Sequence, residues 1–183
     1  IRDSLYTDAQ FKVICANLFD EEGHLPNHMS SSYIKEINGV RILFVAATAP
    51  FTPFYRALDW VVTDPLEAIK DEINDHKDQY DILIVMSHVG VFFDEKLCQE
   101  IPEIDLILGS HTHHYFEHGE MNNGVLMAAA GKYGHFLGEV NLDIKDKKVT
   151  SKTACLHPLE QLPQVETDFD SEGKALMSKP VVN

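Results

Sequence analysis

Residues 11–18 (FKVICANL) form an apolar run of strand length, closed by the polar turn Asp20-Glu21-Glu22-Gly23. The pattern predicts a buried strand. Residues 33–38 and 40–48 flank Asn38-Gly39, a pair that tolerates positive φ and so predicts an antiparallel hairpin. Residues 50–55 hold two prolines and three aromatics; this irregular stretch reads as a loop that could rim a cleft and touch a ligand through Phe54 or Tyr55. Asp64 offers a capping oxygen, Pro65 suits the first helical position, and Leu66, Ile69, Ile73 and Tyr80 follow at helical spacing. A helix over 64–80 is predicted.

Residues 82–86 (ILIVM) are apolar on both faces, as a strand covered on both sides must be. They run into Ser87-His88-Val89-Gly90. A helix fits 94–100, where Asp94 and Glu95 suit the positive end of its dipole. A second apolar strand, 104–108, ends in Gly109-Ser110-His111-Thr112-His113-His114. Strand, helix and strand in this order predict an α/β unit with parallel strands, whose ligands bind beyond the carboxyl ends of the strands. Residues 125–130, 136–144 and 149–157 read as three further strands, the last two joined by Lys145-Asp146-Lys147-Lys148, in an antiparallel half. From Pro158 the composition turns to proline and acid, which predicts a domain over 1–157 and an acidic tail or linker over 158–183.

Composition narrows the function. With 183 residues, 44% apolar and 24% charged, the chain has enough apolar sequence for one packed core. Its formal charge of −14 repels polyanions, which disfavours a nucleic acid polymer or a membrane surface as partner. The chain opens at Ile1, so an upstream part is expected. Cys15, Cys98 and Cys155 are odd in number and widely spaced, as reduced thiols of a cytoplasmic protein would be.

His88, His111 and His113 follow directly on two strands expected to be neighbours, so their imidazoles can converge. If the second segment is extended, His111 and His113 share one face while Thr112 points away, and Gly109 lets the backbone bend into the site. Each histidine alone reads as an ordinary surface or core residue, but packing does not explain two histidine-tipped strands, and together they predict a metal site. Pro26 between His24 and His28 points to a loop. His114 and His118 read as solvent-facing. Cys155 and His157 alternate on a strand, yet two ligands are too few for zinc.

Ser87-His88-Val89-Gly90, then Gly109-Ser110-His111-Thr112-His113, then residues 130–138 (AGKYGHFLG) resemble the carboxyl-terminal half of the catalytic domain of calcineurin-like metallophosphoesterases. They are most similar to the 5'-nucleotidase and 2',3'-cyclic phosphodiesterase type. The resemblance implies an α/β sandwich of two mixed sheets flanked by helices, with two divalent ions, Mn, Zn or Fe, between the sheets. It implies that His88 and His111 bind one ion and His113 the other. The implied chemistry is phosphate-ester hydrolysis by metal-bound water, with a small phosphorylated substrate, a nucleotide, against which Tyr133 could stack.

The family's opening motifs, Asp-x-His, Gly-Asp and Gly-Asn-His-Glu, are absent from this chain. They carry the remaining ligands and the general acid, which is expected upstream of Ile1, so the chain alone is expected to be inactive while its parent is an enzyme. Two other readings fit the residues: a non-catalytic metal-binding or scaffold domain, and a mononuclear zinc hydrolase with Glu117 as general base.

Overall fold

The structure is a computed structural model that describes residues 9–161. Most of the expected tail over 158–183 lies outside the described residues. At the centre is a six-stranded mixed sheet built from β4 (Ser32–Ile37), β5 (Val40–Thr48), β7 (Ile82–His88), β8 (Leu106–Gly109), β9 (Glu120–Asn122) and β10 (Val125–Ala128). Their order across the sheet is β4-β5-β7-β8-β10-β9. The strands β5, β7, β8 and β10 run parallel to one another, while β4 and β9 are antiparallel edges.

Alternation along the parallel strands sends side chains to two covering layers. Leu43, Val45, Leu83, Val85, Ile107, Val125 and Met127 are buried on the face covered by α2 (Pro65–Asp75) and α3 (Val91–Glu100), where they meet Leu66, Ile69, Ile73, Leu97 and Cys98. Ile82, Ile84, Leu106 and Leu126 are buried on the other face, against Val140, Leu142, Val149 and Ala154. Those four belong to the long hairpin of β11 (Phe136–Lys145) and β12 (Lys148–Pro158). The result is helices, sheet and hairpin in three layers, a mixed α/β fold.

Both expected hairpin turns form, with left-handed backbone at Asn38 (φ 52) and Gly39 (φ 79), and at Asp146 (φ 50) and Lys147 (φ 64). Other expectations need correction. The strand over 11–18 is two short ones, β1 (Val13–Ile14) and β2 (Leu18–Asp20), paired with β3 (Met29–Ser30) and β6 (Trp60–Val62). Between them the fully buried Asn17 donates to the Thr48 and Thr63 carbonyls and accepts from the Thr48 N–H, so its amide replaces the ladder bonds a continuous strand would have made.

Residues 50–55 are partly helical, as α1 (Thr52–Arg56), with proline in the first turn. Helix α2 begins as expected, with Asp64 accepting from the Leu66 and Glu67 N–H groups. It ends at Asp75 rather than 80, after Ile73, its last buried residue; Asp78 is already left-handed, φ 66. The second half is not all antiparallel: β10 pairs parallel to β8, and antiparallel to β9 across the turn Asn123-Gly124, a turn signal the pattern reading passed over. Strand β12 runs to Pro158 and a 3-10 turn, Leu159–Gln161, follows it.

Candidate functional site

The carboxyl ends of β5, β7 and β8 stand side by side. Thr48 is in register with His88, and Ser87 with Gly109. His88 is therefore the last residue of a central strand, and its carbonyl accepts from the Ala49 N–H at 2.9 Å. The His88 and His111 rings meet edge to face with centroids 5.2 Å apart. The ring of Phe51 also lies against His111, tilted at 5.3 Å between centroids, so the expected cleft-rim segment does reach this place, through Phe51 rather than Phe54 or Tyr55. A cleft of about 390 Å³ opens beside Thr48, Ser87, His88 and Ser110.

Partial burial pushes the His88 imidazole below its ordinary pKa, and the charges of His111 and His113 push it the same way. Both effects favour the neutral form that can donate a lone pair. His113 acts on His88 through its charge; the ring-to-ring contact is that of His88 with His111. Three-donor groups within 4.8 Å of one another occur elsewhere, at Asp20, Glu22 and His24 and at Glu139, Cys155 and His157, so the three expected ligands are spread more widely than that.

The route that brings His111 and His113 here is not the expected strand alternation. Both are left-handed, φ 68 and φ 57, a conformation that costs a non-glycine residue about 1 kcal/mol or more. Thr112, between them, does not point away from the site's framework. Its Oγ1 accepts from the Val91 N–H at 3.1 Å and pairs with His114 Nδ1 at 2.9 Å. Gly90 precedes α3 with φ 118 and has no side-chain cap of its own; a Cβ on it would lie 2.8 Å from the Thr112 methyl. The loop after β8 thus caps the helix after β7, and one hydroxyl ties the two histidine segments together.

Asp94 lies in the first turn of its helix as expected, but the helix begins earlier, at Val91, and turns the carboxylate inward. It is 4% exposed, with Oδ1 free of any hydrogen bond. Desolvation pushes its carboxyl up to about 6, against a hydrogen bond from Ser87 that lowers it, with the charge of Glu95 adding to the rise. Gly109 is not a bend: its φ is not among the positive ones. It supplies space, since a Cβ there would lie 2.6 Å from Asp94 Oδ2. Sequence reading named Thr112 and Asp94 without finding the hydroxyl's capping bond or the carboxylate's burial, and it passed over Phe51 as a contact of His111; a Thr inside a histidine pair and a carboxylate in the first turn of a helix after Gly90 were the available signals.

Tyr133 is 81% exposed in a turn with its ring 4.8 Å from the Lys132 ammonium. That turn adjoins the histidine loop, because the Gly131 N–H donates to the His114 carbonyl. Tyr55 bonds through its hydroxyl to Thr48, and Glu117 is exposed in a turn. No helix among the described residues is long and apolar enough to cross a membrane.

No family model matches the chain. The uncharacterized metallophosphoesterase YunD of Bacillus subtilis (strain 168) is 41% identical over 179 residues, covering 96% of this chain and 38% of that protein. A 5'-nucleotidase of Diplobatis ommata is 24% identical over 124 residues, 64% of this chain and 22% of that protein. The chain therefore spans well under half the length of these relatives. Among solved structures, a putative 5'-nucleotidase from Staphylococcus aureus has a TM-score of 0.75 at 16% identity, over 90% of this chain and 35% of that one. The 5'-nucleotidase precursor from Thermus thermophilus has a TM-score of 0.71 at 21% identity, over 85% and 35%. These two likenesses carry the fold, and YunD carries the sequence relationship. With histidines at adjacent parallel strand ends inside that fold, the chain resembles, over nearly all its length, a segment of the calcineurin-like metallophosphoesterases, with the fold of the 5'-nucleotidases among them.

Proposed function

We propose that the protein carrying this chain hydrolyses phosphate esters of small molecules, nucleotides first among them, with two divalent ions, Mn, Zn or Fe. The observation that carries the reading is the pairing of His88 and His111, 5.2 Å between ring centroids, at the ends of parallel strands in a relative of a metallophosphoesterase. The donor set suits such ions: His88 sits on a stiff strand end where its surroundings favour the neutral imidazole a ligand needs. His88 and His111 would hold one ion and His113 would serve the other; the carboxylate ligands and the general acid are expected from outside this chain. The ions would supply positive charge against the phosphate oxygens, which offsets a formal charge of −14 that otherwise repels the substrate.

The chain's own residues position these donors. Thr112 locks the two histidine segments to one another, Phe51 packs its ring against that of His111, and Gly109 leaves room for the Asp94 carboxylate at the end of β8. Tyr133 is the residue we assign to stack on a base. The 183-residue chain by itself lacks the complementary ligands and is expected to be inactive. Its three free cysteines support a reducing, cytoplasmic setting.

The test uses the full-length protein with a generic phosphodiester and with nucleoside monophosphates. Hydrolysis that a chelator abolishes and a divalent ion restores is expected, with two ions per chain by elemental analysis. Metal-independent turnover, or one ion with acyl-ester cleavage, would overturn the reading.

A further inference from the structure

The long hairpin carries a second cluster that the histidine loops do not share. Glu139 on β11 stands directly opposite Cys155 on β12, and His157 lies two residues further along β12, on the same face. Val140 and Ala154, the neighbours of alternate parity, pack towards the central sheet, so the cluster is on the hairpin's other face. His157 Nε2 is 3.3 Å from Cys155 Sγ and 2.9 Å from Glu139 Oε2. All three donor atoms lie within 4.8 Å of one another. The sequence offered only Cys155 and His157, one ligand short; the fold supplies the third from the facing strand.

We propose that Glu139, Cys155 and His157 form a zinc site, separate from the proposed catalytic ions. A tetrahedral zinc with the usual Zn–S, Zn–N and Zn–O bonds has ligand edges of about 3.4–3.6 Å. The observed separations of 3.3 and 2.9 Å reach that with a small opening of exposed side chains, the Glu139 and His157 side chains being 50% and 40% exposed. Mixed sulfur, nitrogen and oxygen donors suit zinc over magnesium or calcium, and water takes the fourth position. Binding displaces the thiol proton of Cys155 to solvent.

The other three-donor group is different in kind. Asp20, Glu22 and His24 share one exposed turn, and Asp20 Oδ1 already accepts from the Glu22 and His24 N–H groups; it closes the turn and needs no ion. The hairpin cluster closes no turn, and its local bond, from the Asn141 amide, reaches Glu139 through Oε1, not the Oε2 that faces His157. Its residues come from two strands, and a zinc there would staple β11 to β12 near their open ends.

The test loads the full-length protein with cobalt(II) as a spectroscopic probe and with zinc. A thiolate-to-cobalt charge-transfer band in the near ultraviolet is expected, because among this chain's three cysteines Cys155 is partly exposed while Cys15 and Cys98 are buried. Cys155→Ser should remove the band and one zinc equivalent while leaving phosphoesterase activity in place. Losing even an outer partner costs metal sites roughly 10–100-fold in affinity, so Glu139→Gln should weaken zinc binding by at least that much. In the unsubstituted protein, zinc should also slow alkylation of Cys155. No band, a band that survives Cys155→Ser, or alkylation indifferent to zinc would each reduce the cluster to a hydrogen-bonded Glu-His-Cys triad. Those readouts do not depend on turnover, so they fail independently of the proposed phosphoesterase.

Discussion

Gly109 has no side chain where the carboxylate of Asp94 lies: a Cβ on it would come within 2.6 Å of Asp94 Oδ2 and 3.7 Å of the Ala128 carbonyl oxygen. The glycine that precedes the histidine loop thus makes room for a buried carboxyl from the neighbouring helix. Gly109→Ala must move either Asp94 or the strand end that launches His111. Such overpacking costs about 1–3 kcal/mol. Urea denaturation should show a lower midpoint with unchanged slope, and the full-length protein should lose the proposed phosphoesterase turnover.

Burial sets the pH dependence of Asp94. Its carboxyl titrates at about 6 in the fold, against 3.8 unperturbed, so the native state holds a proton that the unfolded chain has released. Stability from this group is then full below about pH 4, falls as pH rises towards 6, and levels off above it at about 3 kcal/mol less. Asp94→Asn should flatten that part of the stability curve, measured by thermal melts from about pH 4 to 7.

Asp81 gives the opposite sign. The Arg41 guanidinium, which donates to both its oxygens, holds its carboxyl far below the usual range. Its stabilisation is present above the unfolded pKa and is lost as pH falls through the acid range. Asp81→Asn should lower the melting temperature at neutral pH and leave it little changed at strongly acidic pH.

Thr112 is a positioning residue. Thr112→Val keeps the shape but leaves the Val91 N–H without its acceptor, at a cost of about 1 kcal/mol, and frees the histidine loop from α3. Metal affinity at the histidines should fall together with kcat, and Thr112→Ser should restore both. If Thr112→Val lowers stability alone, the hydroxyl only caps the helix.

His88→Ala and His111→Ala in the full-length protein should each lower metal-dependent hydrolysis by about 100-fold or more. Far-ultraviolet circular dichroism should stay unchanged, since both rings sit beyond the sheet core. Turnover equal to the parent's would remove these residues from the site.

Local pattern was enough for whatever is written in contiguous residues. The apolar run at 82–86, the Asn38-Gly39 turn, and the Asp64-Pro65 start of α2 each carry their own geometry, because propensity, capping and positive φ act over a few positions; the strand expected over 104–108 also forms, but from Leu106 to Gly109, after Asp105. The placement of His88 and His111 at neighbouring strand ends was legible for the same reason: two apolar strands joined by one helix have few ways to pair.

What the sequence could not determine depends on partners distant along the chain. Asn17 breaks its strand because its amide finds main-chain groups at Thr48 and Thr63. Asp94 is buried because β8 ends in a glycine beside it, and His111 and His113 are held left-handed by a loop that Thr112 pins to α3. The hairpin cluster is complete only because cross-strand register sets Glu139 against Cys155. Composition and spacing named the chemical groups; long-range packing decided which of them meet, since burial and register exist only once the layers have closed.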